Sequence, residues 1–421
     1  MIKVIQTRFF KNLMTLQGIN VLLYLFPLFV IPYLVRVLGP DGWGFIAFSQ
    51  SFAMYIALIV EYGFNYSGTR EVAQYRENPV ARSETLAGIL GAKMGISALA
   101  LLLSPLFLLI PSFGADPLYL WGALFLAIAH PFNMIWYYQG LEQLRAVAIF
   151  EISSRMIALG GIFMFVRVKE DAWKVLVIQA TMALISAVST TVLAYQKMPF
   201  RVPSLGQIVQ SYKMGWALFI YRGAVSLYTV GNAFVLGLFV PLQFVGYYAG
   251  AEKICRAGIG LLSPISQIFF TRLSHLVSIA SEKASKMSHY GMLLMGSSGL
   301  LMGAFLFLAA PVIIPIALGK QFGPAVQVLQ ILALLPPLTA LSDVMGIQWM
   351  IPLHLENVFN KIILSAGLLN LALVVILTPR FAHLGMAWAV VISELMVTSS
   401  LALYFKKRGF NPFSLASPIK I

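Results

Sequence analysis

The segment LFVPLQFVGYYAGAEKICRAGIGLLSPISQIFF (residues 238–270) decides the fold. It is apolar and long enough to cross a bilayer, which takes about 20 residues of helix. Yet Glu252, Lys253 and Arg256 sit well inside it. At the helical repeat the three fall on one face, within an arc of about 100°. Each charge at mid-bilayer costs about 2.5–3.5 kcal/mol on insertion scales, so their presence needs a reason.

The segment also has a counterpart. LFVPLQFVGYYAGAEK (238–253) matches VLGPDGWGFIAFSQ (37–50): Pro241 answers Pro40, and Gly246-Tyr-Tyr-Ala249 answers Gly44-Phe-Ile-Ala47. Pro117 opens a run reaching Pro131, as Pro324 opens one reaching Pro336-Pro337, so the offsets stay between 201 and 207 residues. Two halves of like orientation predict parallel repeats, an arrangement used by transporters with a central site. The expected division is 1–200 and 201–421, each a six-helix bundle.

The rest of the chain agrees with a membrane assignment. Of its 421 residues 59% are hydrophobic and 10% charged, and mean hydropathy is +0.85. Soluble domains carry about 25% charged residues. Apolar runs set against breakers predict helices at about 13–36, 43–64, 86–110, 117–138, 146–168 and 173–195. The second half gives about 214–239, 244–270, 289–315, 324–352, 359–378 and 382–405. The expected fold is an all-α polytopic membrane protein of about twelve helices. Tight Gly- and Pro-rich connections such as LIPSFGADP (109–117) suit antiparallel neighbours. The first apolar run is too long for a signal peptide and lacks a cleavage site, so it is expected to stay as helix one.

The net charge of +14 would suggest nucleic acid in a soluble protein, but here its distribution follows the positive-inside rule. With the N-terminus in the cytoplasm, about 18 Lys and Arg fall inside and about six outside, which predicts both termini inside. Cys255 is the single cysteine; it excludes an intrachain disulfide and reads as a small core residue.

Five cations fall within the expected spans: Lys93, Arg155, Arg222, Lys253 and Arg256. Facing lipid, together they would cost on the order of 12–18 kcal/mol, comparable to the net stability of a whole domain. They must face protein partners or water. Glu252 and Arg256 form an i,i+4 pair, which leaves Lys253 without a local partner. A water-filled cavity with surplus positive charge suits an anionic substrate. Arg222 and Arg256 are the better phosphate ligands, because a guanidinium forks onto two oxygens. The competing reading is interhelical ion pairing, and Lys93 and Arg155 can also snorkel or cap carbonyls. Glu61, Glu252, Asp343 and Glu394 are candidates for coupling to H⁺ or Na⁺; otherwise they are helix–helix contacts.

No catalytic or metal-binding pattern appears. The five histidines are scattered, and there is no HExxH, GxSxG or P-loop. No expected loop is long enough to house a catalytic domain, which disfavours a membrane-embedded polysaccharide polymerase or ligase. Gly91 and Gly95 form a GxxxG pair, expected to pack helices closely.

LFPLFVIPYLVRVLGPDGWGFIAFSQSF (25–52), then EYGFNYSGTREVAQYR (61–76), resembles the start of the Wzx-type oligosaccharide flippases. These belong to the multidrug/oligosaccharidyl-lipid/polysaccharide exporter superfamily. LYTVGNAFVLGLFVPLQFVGYYAGAEKICRAGIGLLSPISQIFFTRLS (227–274) resembles the second-half counterpart, and MGIQWMIPLHLENVFNK (345–361) is a looser match. The resemblance implies two six-helix bundles, a central cationic cavity and alternating access. Its implied substrate is an oligosaccharide on undecaprenyl diphosphate, moved from the cytoplasmic to the periplasmic leaflet of a bacterial inner membrane, for O-antigen or other polysaccharide biosynthesis. Polymerase or chain-length machinery would be neighbouring partners. Arg36, Arg222 and the 252–256 cluster would then lie near the glycolipid headgroup. Asn65, Thr69, Arg70 and Glu71 match a block at the cytoplasmic end of helix two, where a gate and a structural cap are equal expectations. The rival within the superfamily is a cation-coupled multidrug antiporter, whose cavity would need acids and aromatics rather than surplus Arg and Lys.

Overall fold

The fold is described from a computed structural model. It covers the backbone of residues 2–279 and 281–408, and side chains from Val30 onward except 146, 221, 222, 224, 225, 227–229, 271, 275 and 277–285. Among the described residues nearly all are helical and none is in a strand. Nine stretches among the described residues are long and apolar enough to cross a membrane. Backbone groups in hydrocarbon must be satisfied within the segment, which a helix does and an open strand does not. Large apolar side chains such as Leu102, Leu109, Leu301 and Leu308 face outward, as lipid-facing positions of a bundle do. The protein is a multi-pass membrane protein.

The chain separates into two compact units, Met1–Phe234 and Val235–Ile421. In the first, helix α1 (Ile2–Glu61) holds two of the expected spans, joined at Gly39, whose φ of 70° breaks the helix just before Pro40. Tyr62 and Gly63 both take positive φ, 47° and 78°. They end the run and set off α2 (Phe64–Gln74) as a separate short helix. Helix α3 (Pro79–Leu102) starts on Asn78, whose side chain accepts from the Val80 and Ala81 amides, with Pro79 pre-set for the first turn. Short turns α4 (Ser104–Phe107) and α5 (Pro111–Ala115) lead to α6 (Pro117–Ala129), capped in the same manner by Asp116.

The expected single helix over 117–138 is interrupted. After α6 come a 3-10 turn at His130–Phe132 and then α7 (Ile135–Gly140). Pro131 removes a donor, and Asn133 uses its side chain to accept from the Ile135 amide at 2.8 Å, offering the backbone an alternative to the helical ladder. Helices α8 (Leu144–Phe165) and α9 (Ala172–Tyr195) follow as single spans. Helix α10 (Leu205–Thr229) opens on a Ser204–Gln207 capping box, and α11 (Asn232–Gly237) completes the expected helix seven.

The second unit begins at Val235, within α11. The expected 244–270 helix divides into α12 (Leu242–Gly260) and α13 (Ser263–Ile279). Helix α14 (Ser281–Ala317) carries Pro311 and Pro315 inside it. The expected 324–352 helix divides into α15 (Ala325–Leu332), α16 (Leu335–Asp343) and a π-helical turn over Val344–Met350. Helix α17 (Glu356–Lys407) again holds two expected spans, joined at Ala382 with φ 47°. Small residues let these helices approach: a Cβ on Gly299 would meet the Pro336 carbonyl at 2.7 Å, and one on Gly303 the Ala333 carbonyl at 2.6 Å.

Candidate functional site

Helix α12 places Glu252 and Arg256 one turn apart. The Arg256 Nε and Nη2 donate to the same Glu252 oxygen at 3.0 and 2.8 Å. Glu252 is largely covered, while the Arg256 side chain keeps 48% of its surface accessible. Lys253, one residue away, is exposed and has no hydrogen bond or ion pair among the described residues. Among the described residues the face therefore carries one ion pair and one further ammonium beside it. Behind it the opposite face of α12 is closely packed: Tyr248, Ala251 and Cys255 are fully buried. The Cys255 thiol donates to the Leu332 carbonyl at 3.2 Å, which fits its reading as a core residue.

The first unit treats its cations differently. Lys93 has no accessible surface. Its ammonium donates to the Pro131 carbonyl at 2.5 Å and lies 5.6 Å from the centre of the Trp136 ring. It caps a carbonyl freed where the α6–α7 run breaks, and a cation is favourable at such a helix end. Arg155 is bound to Glu151 through Nε and Nη2, at 3.0 and 2.8 Å. The other Glu151 oxygen accepts from Asn133 at 2.7 Å and from Ser186 at 3.4 Å. Asn133 and Ser186 are members of this network that hydropathy could not reveal, although Pro131 beside Asn133 in an apolar run was a signal. Arg36 is exposed near the Gly39 break. Arg222 lies in α10, and its side chain is outside the described residues.

The block at the end of helix two is a packed joint. The Thr69 hydroxyl donates to the Asn65 carbonyl at 2.6 Å and the Trp136 carbonyl at 3.0 Å. Gly68 lies under the Trp136 ring, and Gly140 lies against the Thr69 carbonyl, so α2 and α7 interlock. Arg76 reinforces them by donating to the Gly140 carbonyl at 3.0 Å and pairing with Glu142 at 2.9 Å. Arg70 is exposed and Glu71 half-buried.

Of the candidate coupling acids, Glu61 is half-buried at the end of α1 and engaged within the chain. Asp343 and Glu394 lie on the packed helices α16 and α17. Ser342, beside Asp343, donates to Glu394 at 2.6 Å. The structure thus groups Glu252, Lys253 and Arg256 on one helix face, and Asp343 with Glu394 on neighbouring helices of the same unit. Lys93, Glu151 and Arg155 surround the helix break of the first unit.

Residues 9–277 match a protein family described as "Polysaccharide biosynthesis protein". A protein of Escherichia coli (strain K12) named "Putative O-antigen transporter" is 30% identical over 397 residues, covering 94% of this chain and 95% of its own. A protein of Shigella dysenteriae with the same name is 29% identical over 406 residues, covering 94% and 99%. Two solved structures share the fold at 14% identity. An inward-facing multidrug resistance MATE family transporter of the MOP superfamily gives a TM-score of 0.71 and covers 91% of this chain and 94% of its own. The lipid II flippase MurJ, in an inward closed conformation, gives 0.69 and covers 94% and 87%. With the family matched over more than half its length and a relative at 30% identity along nearly all of it, the chain belongs to the polysaccharide biosynthesis protein family.

Proposed function

We propose that this protein is a flippase for oligosaccharide units carried on a polyprenyl diphosphate, undecaprenyl diphosphate in a bacterial inner membrane. It moves them from the cytoplasmic to the periplasmic leaflet by alternating access. The carrying observation is the α12 face, where Lys253 is accessible and, among the described residues, has no ion-pair partner beside the Glu252–Arg256 pair. The relatives named as O-antigen transporters supply the substrate class.

A lipid diphosphate must take its negative charges through hydrocarbon, and fixed cations in a wet cavity lower that barrier. Lys253 supplies net charge, and Arg256 a planar donor set already oriented by Glu252. The glycan tolerates a polar cavity, and the polyprenyl tail can remain in lipid. Arg222 and Arg36 are further headgroup candidates. Lys93 and Arg155 act at one remove, since each is occupied in holding the interrupted helix. Asp343 and Glu394 are the acids best placed to take up a proton or Na⁺, so we propose that a cation gradient drives the return of the empty carrier.

In cells, Lys253→Ala and Arg256→Ala should each remove surface polysaccharide. The lipid-linked unit should accumulate facing the cytoplasm, with normal amounts of protein in the membrane. Normal surface polysaccharide in both variants would remove the α12 face from the mechanism. Export of a cationic dye by the unaltered protein, with no glycolipid movement, would favour the antiporter reading.

A further inference from the structure

Helix seven, α10 with α11 as far as Phe234, starts the second half of the sequence repeat, yet it falls in the first unit. At its start the packing is that of a core. Met198 belongs to a buried cluster with Leu86, Ile89, Ala92, Trp136 and Tyr137, and Ile208 and Tyr212 pack against it. The Tyr212 hydroxyl donates to the Ala92 carbonyl at 2.8 Å. On α3, a Cβ at Gly88 would lie 2.9 Å from the Ser211 hydroxyl, and one at Gly91 would lie 3.0 Å from Ile208 Cγ1. The two backbones therefore meet as closely as glycine allows. Two turns further on, Tyr62 stacks on Phe219 with centroids 4.6 Å apart, and Gly63 faces Leu218 and the Gly215 carbonyl.

The other end is attached to the same unit. The Ser51 hydroxyl donates to the Val230 carbonyl at 3.0 Å. The Phe234 ring lies 5.1 Å from Phe48 and 5.4 Å from Phe52, and Asn232 and Ala233 are buried. In alternating access one side of the membrane opens at a time. A helix belonging to the second moving body would be parted from the first at one end, whereas helix seven is held to it at both.

We propose that helix seven moves as a rigid part of the first unit. The joint between the two moving bodies then lies in the 235–241 connection, not in the 196–204 linker where the repeat places the boundary. The Ser83 hydroxyl bond to the Pro199 carbonyl and the Arg201–Glu84 pair at 3.3 Å fasten that linker to α3 as well. The proposal rests on the transport reading only in supposing two bodies that move.

Two cysteine pairs test it in a Cys255→Ala background. Gly88→Cys with Ser211→Cys, and Gly91→Cys with Ile208→Cys, each place one Cβ beside the partner's sulfur position, as a disulfide requires. Oxidation of either pair should leave movement of the host's extracted polyprenyl-diphosphate oligosaccharides in proteoliposomes unchanged from the reduced protein. Loss of movement on oxidation, restored by a reductant, would overturn the proposal. If the unaltered protein moves no glycolipid, the transport reading has failed. The proposal is then decided by the distance between spin labels at the exposed Met94 on α3 and Val209 on α10. One distance in detergent and in lipid is expected; two populations would overturn it.

Discussion

Lys93 shows what a single residue does in this membrane interior. Its charge is fully enclosed, and among the described residues its hydrogen-bond acceptor is the backbone oxygen of Pro131. Replacing it with methionine keeps most of the stem's volume and leaves that carbonyl without a donor. The expected cost is about 1–3 kcal/mol, the penalty for one buried unsatisfied group. It should appear as a lower melting temperature of the detergent-solubilised protein, with transport per folded molecule largely kept. An unchanged melting temperature would mean that the α6–α7 break is held by other contacts. The sequence marks Lys93 as an intramembrane cation but not which carbonyl it serves, because its partner lies 38 residues on. The i,i+4 pair of Glu252 and Arg256 is legible, since the helical period alone brings the two together.

At the scale of elements, hydropathy locates spans well and interruptions poorly. The breaks at Gly39 and near Pro131 sit at residues that announce them. The break at Ala382 falls where Pro379 divides two expected spans, and the Tyr62 corner lies two residues before the expected end of helix two; the Val344–Met350 π-turn, inside the expected 324–352 helix, is not announced by hydropathy. The Tyr62–Gly63 corner is the most constrained of these. Gly63 has φ 78°, and a Cβ there would lie 2.8 Å from Leu218 Cβ and 2.9 Å from the Gly215 carbonyl. Gly63→Ala combines left-handed strain of about 1–2 kcal/mol with overpacking of about 1–3 kcal/mol. The expected outcome is a clear loss of folded protein in the membrane, read by fluorescence-detected size exclusion. Wild-type yield and melting temperature would show that α10 can yield there. The block at Asn65, Thr69, Arg70 and Glu71 owes much of its character to this corner and to α7, because Thr69 bonds across to Trp136.

At the scale of the molecule, the repeat and the charge distribution carry the argument. The offsets between halves foreshadow paired interruptions: the chain turns at Asp116 before α6 and at Gly319 before the matching segment. The repeat records how the halves correspond, however, and not which helices pack together, so the attachment of helix seven to the first unit was not legible in it. The proposed orientation rests on Lys and Arg placement. A thiol introduced at exposed Tyr75 should react only from the cytoplasm, and one at exposed Val168 only from the periplasm, in a Cys255→Ala background. The reverse pattern would invert the direction of transport proposed above.

The measurement that bears most directly on the central claim is leaflet movement of an undecaprenyl-diphosphate oligosaccharide in proteoliposomes. It should be followed for the unaltered protein and for Arg256→Ala, with and without a proton or Na⁺ gradient. The account predicts movement that requires the protein, accelerates under one gradient and is lost in Arg256→Ala. Equal movement by both proteins, or none by either alongside export of a cationic dye, would contradict it.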